Sequence, residues 1–77
     1  MSISIDLVAT GANIRRLRIE RGISVTAIQE HLGLSTTRVI YKWQRGECLP
    51  STDNLIALSN LFGVCVNDII ITRQTDE

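Results

Sequence analysis

Residues 24–46 read SVTAIQEHLGLSTTRVIYKWQRG, two short apolar-periodic segments parted by the glycine and hydroxyl residues of GLSTT. Ser24 is a good N-cap, with Ile23 before it and Ile28 at the fourth helical position, the arrangement of a hydrophobic staple. Gly33 then stops the segment, as a glycine does when it takes the left-handed conformation just past a helix end. A further helix can begin after Ser35 or Thr36 and extends to about Gln44, with Gly46 as its stop. Two short helices therefore meet at a tight corner.

The same punctuation continues outward, because Gly22 and Gly63 also close apolar-periodic segments. A first helix starts at Asp6 or Thr10 as N-cap and runs to about Arg21, with Leu7, Ile14 and Leu17 on one stripe and the arginines largely elsewhere. Leu49-Pro50-Ser51 turns into a fourth helix, capped by Ser51, with Leu55, Leu58, Leu61 and Phe62 at helical spacing. A fifth, short helix uses Cys65 or Asn67 near its start and buries Ile69 and Ile70. SISID alternates like a strand and DIIIT is β-branched, so an added strand at either terminus stays open. The core is expected over residues 6–71, and residues 72–77 are expected to fray.

With 77 residues, 44% of them apolar and a single proline, residues 1–77 form one ordered domain near the lower size limit for a self-sufficient core. Cys48, Cys65 and His31 have no metal-ligand spacing, so no metal or cofactor is expected, and buried or half-buried free thiols suit a reducing cytosol. The start lacks the basic and long apolar parts of a secretory signal, and no window approaches the ~20 apolar residues of a membrane span. A soluble, cytoplasmic protein is the expectation.

The formal charge is zero but uneven. From Asn13 to Gly46, seven basic residues (Arg15, Arg16, Arg18, Arg21, Arg38, Lys42, Arg45) stand against Glu20 and Glu30, a local +5. From Glu47 onward Arg73 stands against Glu47, Asp53, Asp68, Asp76 and Glu77, a local −4. The first part can meet a polyanion while the last part faces away, although solvated helix faces often look like this too.

Helix, glycine, short turn, helix over residues 24–45 marks a helix-turn-helix, a corner found in many small helical domains. The runs NIRRLR (13–18), RGIS (21–24), LGLS (32–35), KWQRGE (42–47), LPS (49–51), NLIALS (54–59), LFGV (61–64) and NDII (67–70) together resemble the lambda-repressor-like, Cro/CI or Xre class of DNA-binding domains. The resemblance covers about residues 11–71. It implies an all-α, compact five-helix domain whose third helix enters the major groove while the second lies across the backbone.

Aligning on Trp43 puts Ile40 and Trp43 toward the core and Thr37, Arg38, Tyr41 and Lys42 on the outward face. Helical periodicity supports the same partition, with Val39 undecided between the two sides. Arg38 can take guanine O6 and N7 in bidentate fashion, or a phosphate, or be solvated. Thr37 can touch a thymine methyl or serve as a second cap. Tyr41 offers a ring and a hydroxyl to DNA, or packs beside Trp43. Lys42 suits base readout at its edge and phosphate above all. Arg45, beyond the reading turn, is a phosphate candidate. Ser24 and Thr26 lie where the free N–H groups and positive end of the second helix suit a phosphate, with plain capping as the equal alternative for Ser24. At least one of Arg15, Arg16 and Arg18 adds to the basic field, with Arg15 as a phosphate candidate and plain solvation as the alternative for the others.

Three positions depart from the family pattern. Val25 stands where a glutamine commonly reaches the DNA backbone. Gln29 replaces a small residue that lets the second helix pack closely on the third, implying a wider crossing or a side chain bent outward. The distance from Gly33 to Trp43 is one residue longer than usual, which the turn is expected to absorb.

The leading reading is a sequence-specific double-stranded DNA-binding regulator, a small bacterial or phage-type repressor acting as a homodimer. Its dimer surface is sought in the fifth helix and the termini, where Val64, Val66, Ile69, Ile70 and Ile71 exceed what a short helix can bury. The competing reading is a protein-interaction module on the same fold, antitoxin-like or an anti-repressor partner; neutral charge and Val25 favour it. No paired acid/base set, nucleophile beside His31 or glycine-rich phosphate loop suggests an enzyme, and no catalytic residue is expected. His31 reads as a surface residue favoured by the negative helix end. No small-molecule effector can be named.

Overall fold

A computed structural model describes residues 2–75. In chain order these form β1 (Ser2–Ile5), α1 (Leu7–Glu20), α2 (Val25–Leu32), α3 (Arg38–Gln44), α4 (Thr52–Phe62), α5 (Val66–Ile69) and β2 (Thr72–Thr75). The five helices are the body of the fold.

Capping side chains set the helix starts. The Ala9 N–H donates to Asp6 Oδ1 at 3.0 Å, Ala27 N–H to Ser24 Oγ at 3.0 Å and Asn54 N–H to Ser51 Oγ at 3.2 Å. At α5 the Asp68 carboxylate accepts from the Cys65 N–H at 3.0 Å. Gly33 and Gly63 end α2 and α4 with φ of 69° and 71°, a conformation that favours glycine.

Nine side chains make one core: Ile14, Leu17, Val25, Ile28, Ile40, Trp43, Leu58, Phe62 and Ile69. Each contributes about 1.5–3 kcal/mol by leaving water. Leu7, expected on the buried stripe of α1, is instead 40% exposed. Its place inside is taken by Thr10 and Gly11, both buried, because the end of α3 lies so close to α1 there that a larger side chain has no room. Thr10 is therefore an internal residue of α1, and Asp6 is its cap.

The chain ends differ from expectation. Thr72–Thr75, expected to fray, forms a strand antiparallel to Ser2–Ile5, with Ser2 opposite Thr75 and Ile5 opposite Thr72; residues 76 and 77 lie outside the described residues. The cause is a clamp at Ile71. Its carbonyl accepts from the Asp6 N–H at 2.8 Å and its N–H donates to Thr10 Oγ1 at 2.9 Å. The last segment is thereby held beside the first, and the alternating SISI finds a partner. Ile70, expected to be buried with Ile69, is only half-buried, because α5 ends at Ile69 and the chain turns extended. Cys48 is half-buried but Cys65 is exposed, since it occupies the N-cap of α5 rather than its inner face.

Candidate nucleic-acid interface

The corner between α2 and α3 spans residues 33–37. Gln29 bends across it, its side-chain amide donating to the Leu34 carbonyl at 2.8 Å, so its polar head lies on the turn instead of between the helices. α3 begins at Arg38, later than the sequence suggests. Thr36 Oγ1 accepts from the Arg38 N–H at 3.3 Å, while Thr37 takes the N-cap position without a side-chain cap bond. Thr37 is half-buried there and does not stand in the first turn of the helix.

Seven residues make α3 two-sided. Ile40 and Trp43 are buried, with Val39 packed partly against the core, which places the undecided Val39 on the inner side. Arg38, Tyr41, Lys42 and the C-cap Arg45 are exposed, a strip with the spacing of one helix face. Tyr41 is 47% exposed, so it is not packed away beside Trp43. An exposed aromatic among cations offers both a ring and a hydroxyl to a ligand.

At the start of α2, Ser24 is exposed and its hydroxyl is committed to capping, and Thr26 is exposed on the first turn. Val25 is 7% exposed and joins the core, so this position presents no polar group to the surface.

The arginines separate into those with and without internal partners. Arg16 donates to Asn13 Oδ1 at 2.6 Å and pairs with Glu20 at 2.8 Å. Arg18 donates to Gln44 Oε1 at 3.2 Å and to the Ile23 carbonyl at 3.1 Å, tying α1 to both the next loop and the end of α3. Arg21 donates to the Phe62 carbonyl at 2.6 Å, where the free carbonyls at the end of α4 attract a cation. Arg45 donates through Nε to the Glu47 carboxylate. That bond, first among the causes, holds the Glu47 carboxyl below its usual 4.5. Glu47, counted with the acidic end of the chain, thus lies against the cationic face. Among the described residues, Arg15, Arg38, Lys42 and Arg73 have exposed side chains that make no hydrogen bond or ion pair.

Two structural supports escaped the sequence reading. Asn13 is 8% exposed and donates to the Asp68 and Ile69 carbonyls at 2.7 and 3.0 Å, closing the end of α5. Thr10, 1% exposed, clamps Ile71. The signal was present as two polar residues beside Ile14 and Leu17 on the apolar stripe. Among the described residues no group of three His, Cys, Asp or Glu side chains can hold a metal ion, and no helix is long and apolar enough to cross a membrane. His31 is exposed in the last turn of α2.

Five short helices around one core, with a tight corner leading into a helix that is apolar inside and cationic outside, define a small helix-turn-helix domain. The helix-turn-helix family model matches residues 14–65, more than half of the chain, and the protein belongs to that family, of the Cro/CI type. Solved structures share the fold. The restriction-modification controller protein C.AhdI from Aeromonas hydrophila superimposes with a TM-score of 0.74 at 25% identity, covering 83% of this chain and 96% of that one. A transcriptional regulator from Listeria innocua gives 0.72 at 28% identity, over 79% of this chain and 56% of the other. The DNA-binding domain of BldD from S. venezulae gives 0.68 at 23% identity, over 84% and 96%. A comparison with curated proteins gives no match.

Proposed function

We propose that the protein is a sequence-specific double-stranded DNA-binding transcriptional regulator, a small repressor acting in the cytoplasm. The observation that carries the reading is the outward face of α3. Exposed Arg38, Tyr41 and Lys42 stand opposite buried Ile40 and Trp43, on the second helix of a helix-turn-helix. In this docking mode α3 enters the major groove, Arg38, Tyr41 and Lys42 reach base edges from the exposed strip, and Thr37 reaches one from the turn. Ser24, Thr26, Arg45 and Arg15 then serve the phosphates. The transcriptional regulator from Listeria innocua and the DNA-binding domain of BldD among its structural relatives support the same reading. Repression needs only occupancy of a site that overlaps a promoter.

A homodimer belongs to the proposal on energetic grounds. One domain offers few base contacts, and two linked domains on half-sites about 34 Å apart multiply affinity through effective concentration. The surface favoured for the twofold is α5 with the terminal strands, where Ile3 (67% exposed) lines a groove with Asn67, Ile70 and Thr72.

The competing module without DNA affinity gains one observation: Arg16 and Arg45 pair with Glu20 and Glu47, and Arg18 and Arg21 bond to groups of the protein itself, which leaves fewer cations ready to meet phosphate. Selection of bound duplexes from a random pool, repeated with Arg38→Ala, decides. A base-reading Arg38 predicts that one position of the selected site relaxes by about 1–3 kcal/mol of discrimination. Uniform weakening would make Arg38 a phosphate contact. No enrichment of any duplex, at low salt as at moderate salt, would favour the interaction module.

A further inference from the structure

Arg45 and Glu47 flank Gly46 just past the end of α3, and their side chains form an ion pair. Both are open to solvent, at 57% and 49% exposure, so the pair adds little to folding stability. Lys42, on the outward strip of α3, also acts on the Glu47 carboxylate. The acid therefore pairs with Arg45 and lies near enough to Lys42 to feel its charge, without an ion pair between them.

We infer that Glu47 limits the affinity of the DNA-facing surface for the phosphate backbone: in the free protein its carboxylate holds the Arg45 Nε–H and sets a negative charge beside the guanidinium that a phosphate would contact. The inference rests on the DNA-binding reading above and deepens it. A carboxylate and a phosphate oxygen compete for the Arg45 Nε–H, and a phosphate on the remaining N–H groups meets the repulsion of the carboxylate beside it. The same carboxylate repels any phosphate that approaches Lys42. The effect at Arg45 acts on the sequence-independent part of binding, which is backbone electrostatics, and base recognition by Arg38 stands apart from it. Glu47 thereby lowers affinity for specific and non-specific duplexes alike.

The test measures the affinity of the full chain for a short random-sequence duplex across a salt series, for the wild type, Glu47→Gln, Arg45→Ala and the double variant. Glu47→Gln is expected to bind roughly 3- to 10-fold tighter at low salt, with a log–log salt slope steeper by up to about 0.9, the value of one phosphate contact. Arg45→Ala is expected to weaken binding, and in that background the gain from Glu47→Gln should shrink. Thermal unfolding of each variant verifies that all are folded. A Glu47→Gln protein that binds no tighter, beside a wild type with steep salt dependence, overturns the inference and leaves the DNA-binding reading standing. Wild-type affinity that is absent or insensitive to salt overturns both.

Discussion

Gly11 of α1 and Trp43 of α3 meet backbone to backbone: a Cβ on Gly11 would lie 2.2 Å from the Trp43 carbonyl oxygen and 2.8 Å from that of Gln44. In an exposed helix Gly→Ala stabilises by about 1 kcal/mol. Here the sign should reverse, since the atom met is backbone and the helices must part. Gly11→Ala is expected to cost ~2 kcal/mol or more, read as a lower urea midpoint. A neutral or stabilised variant would mean that α1 and α3 do not touch in this way.

Asn13 joins α1 to the end of α5 through two carbonyls it alone satisfies with a side chain. Asn13→Ala leaves those carbonyls without the amide and removes one acceptor of Arg16, a loss of about 1–3 kcal/mol. Hydrogen exchange should quicken first in β2, because the clamp at Ile71 depends on the same contact between α1 and the chain end. Uniform acceleration across all elements would argue against that local role.

Arg18 and Arg15 share a helix but not a task. Arg18→Ala removes bonds to Gln44 and Ile23 and is expected to lower stability by about 1 kcal/mol. Arg15→Ala should leave stability within ~0.5 kcal/mol, its side chain being exposed and unbonded. If Arg15 meets one phosphate, its loss flattens the salt slope of DNA binding by about 0.9. Unfolding curves and a salt series separate the two effects.

The Glu47 carboxyl is held below 4.5, chiefly by its hydrogen bond from Arg45. A depressed folded value means that the pair's contribution is present above the unfolded pKa and is lost as pH falls through the folded one. An NMR titration should place the Glu47 inflection below 4.5, and Arg45→Ala should move it upward. An unchanged inflection in Arg45→Ala would show that the pair does not form in solution.

Most of the helical frame was legible in the chain because its signals are local. Ser24, Ser51, Gly33 and Gly63 cap or stop helices within three or four residues of the groups they satisfy. The inward Ile40 and Trp43 follow from helical periodicity as much as from resemblance. The strip of α3 was only partly legible: the sequence reading began the helix early, which put Thr37 in place of Arg45 at the edge of the face.

The sequence by itself determined the helices, their order and the two-sided character of α3, since capping and periodicity act within a few residues. Only the tertiary structure decided which cations remain available, that Asn13 and Thr10 close the far end of the chain, and that residues 72–75 form a strand. Those outcomes depend on partners as much as 55 and 61 residues away, as for Asn13 with Asp68 and Thr10 with Ile71. Even Arg45 and Glu47, two residues apart, could not be paired from charge counting. Whether two neighbouring side chains meet depends on how the turn after α3 aims them, and that aim is set by packing.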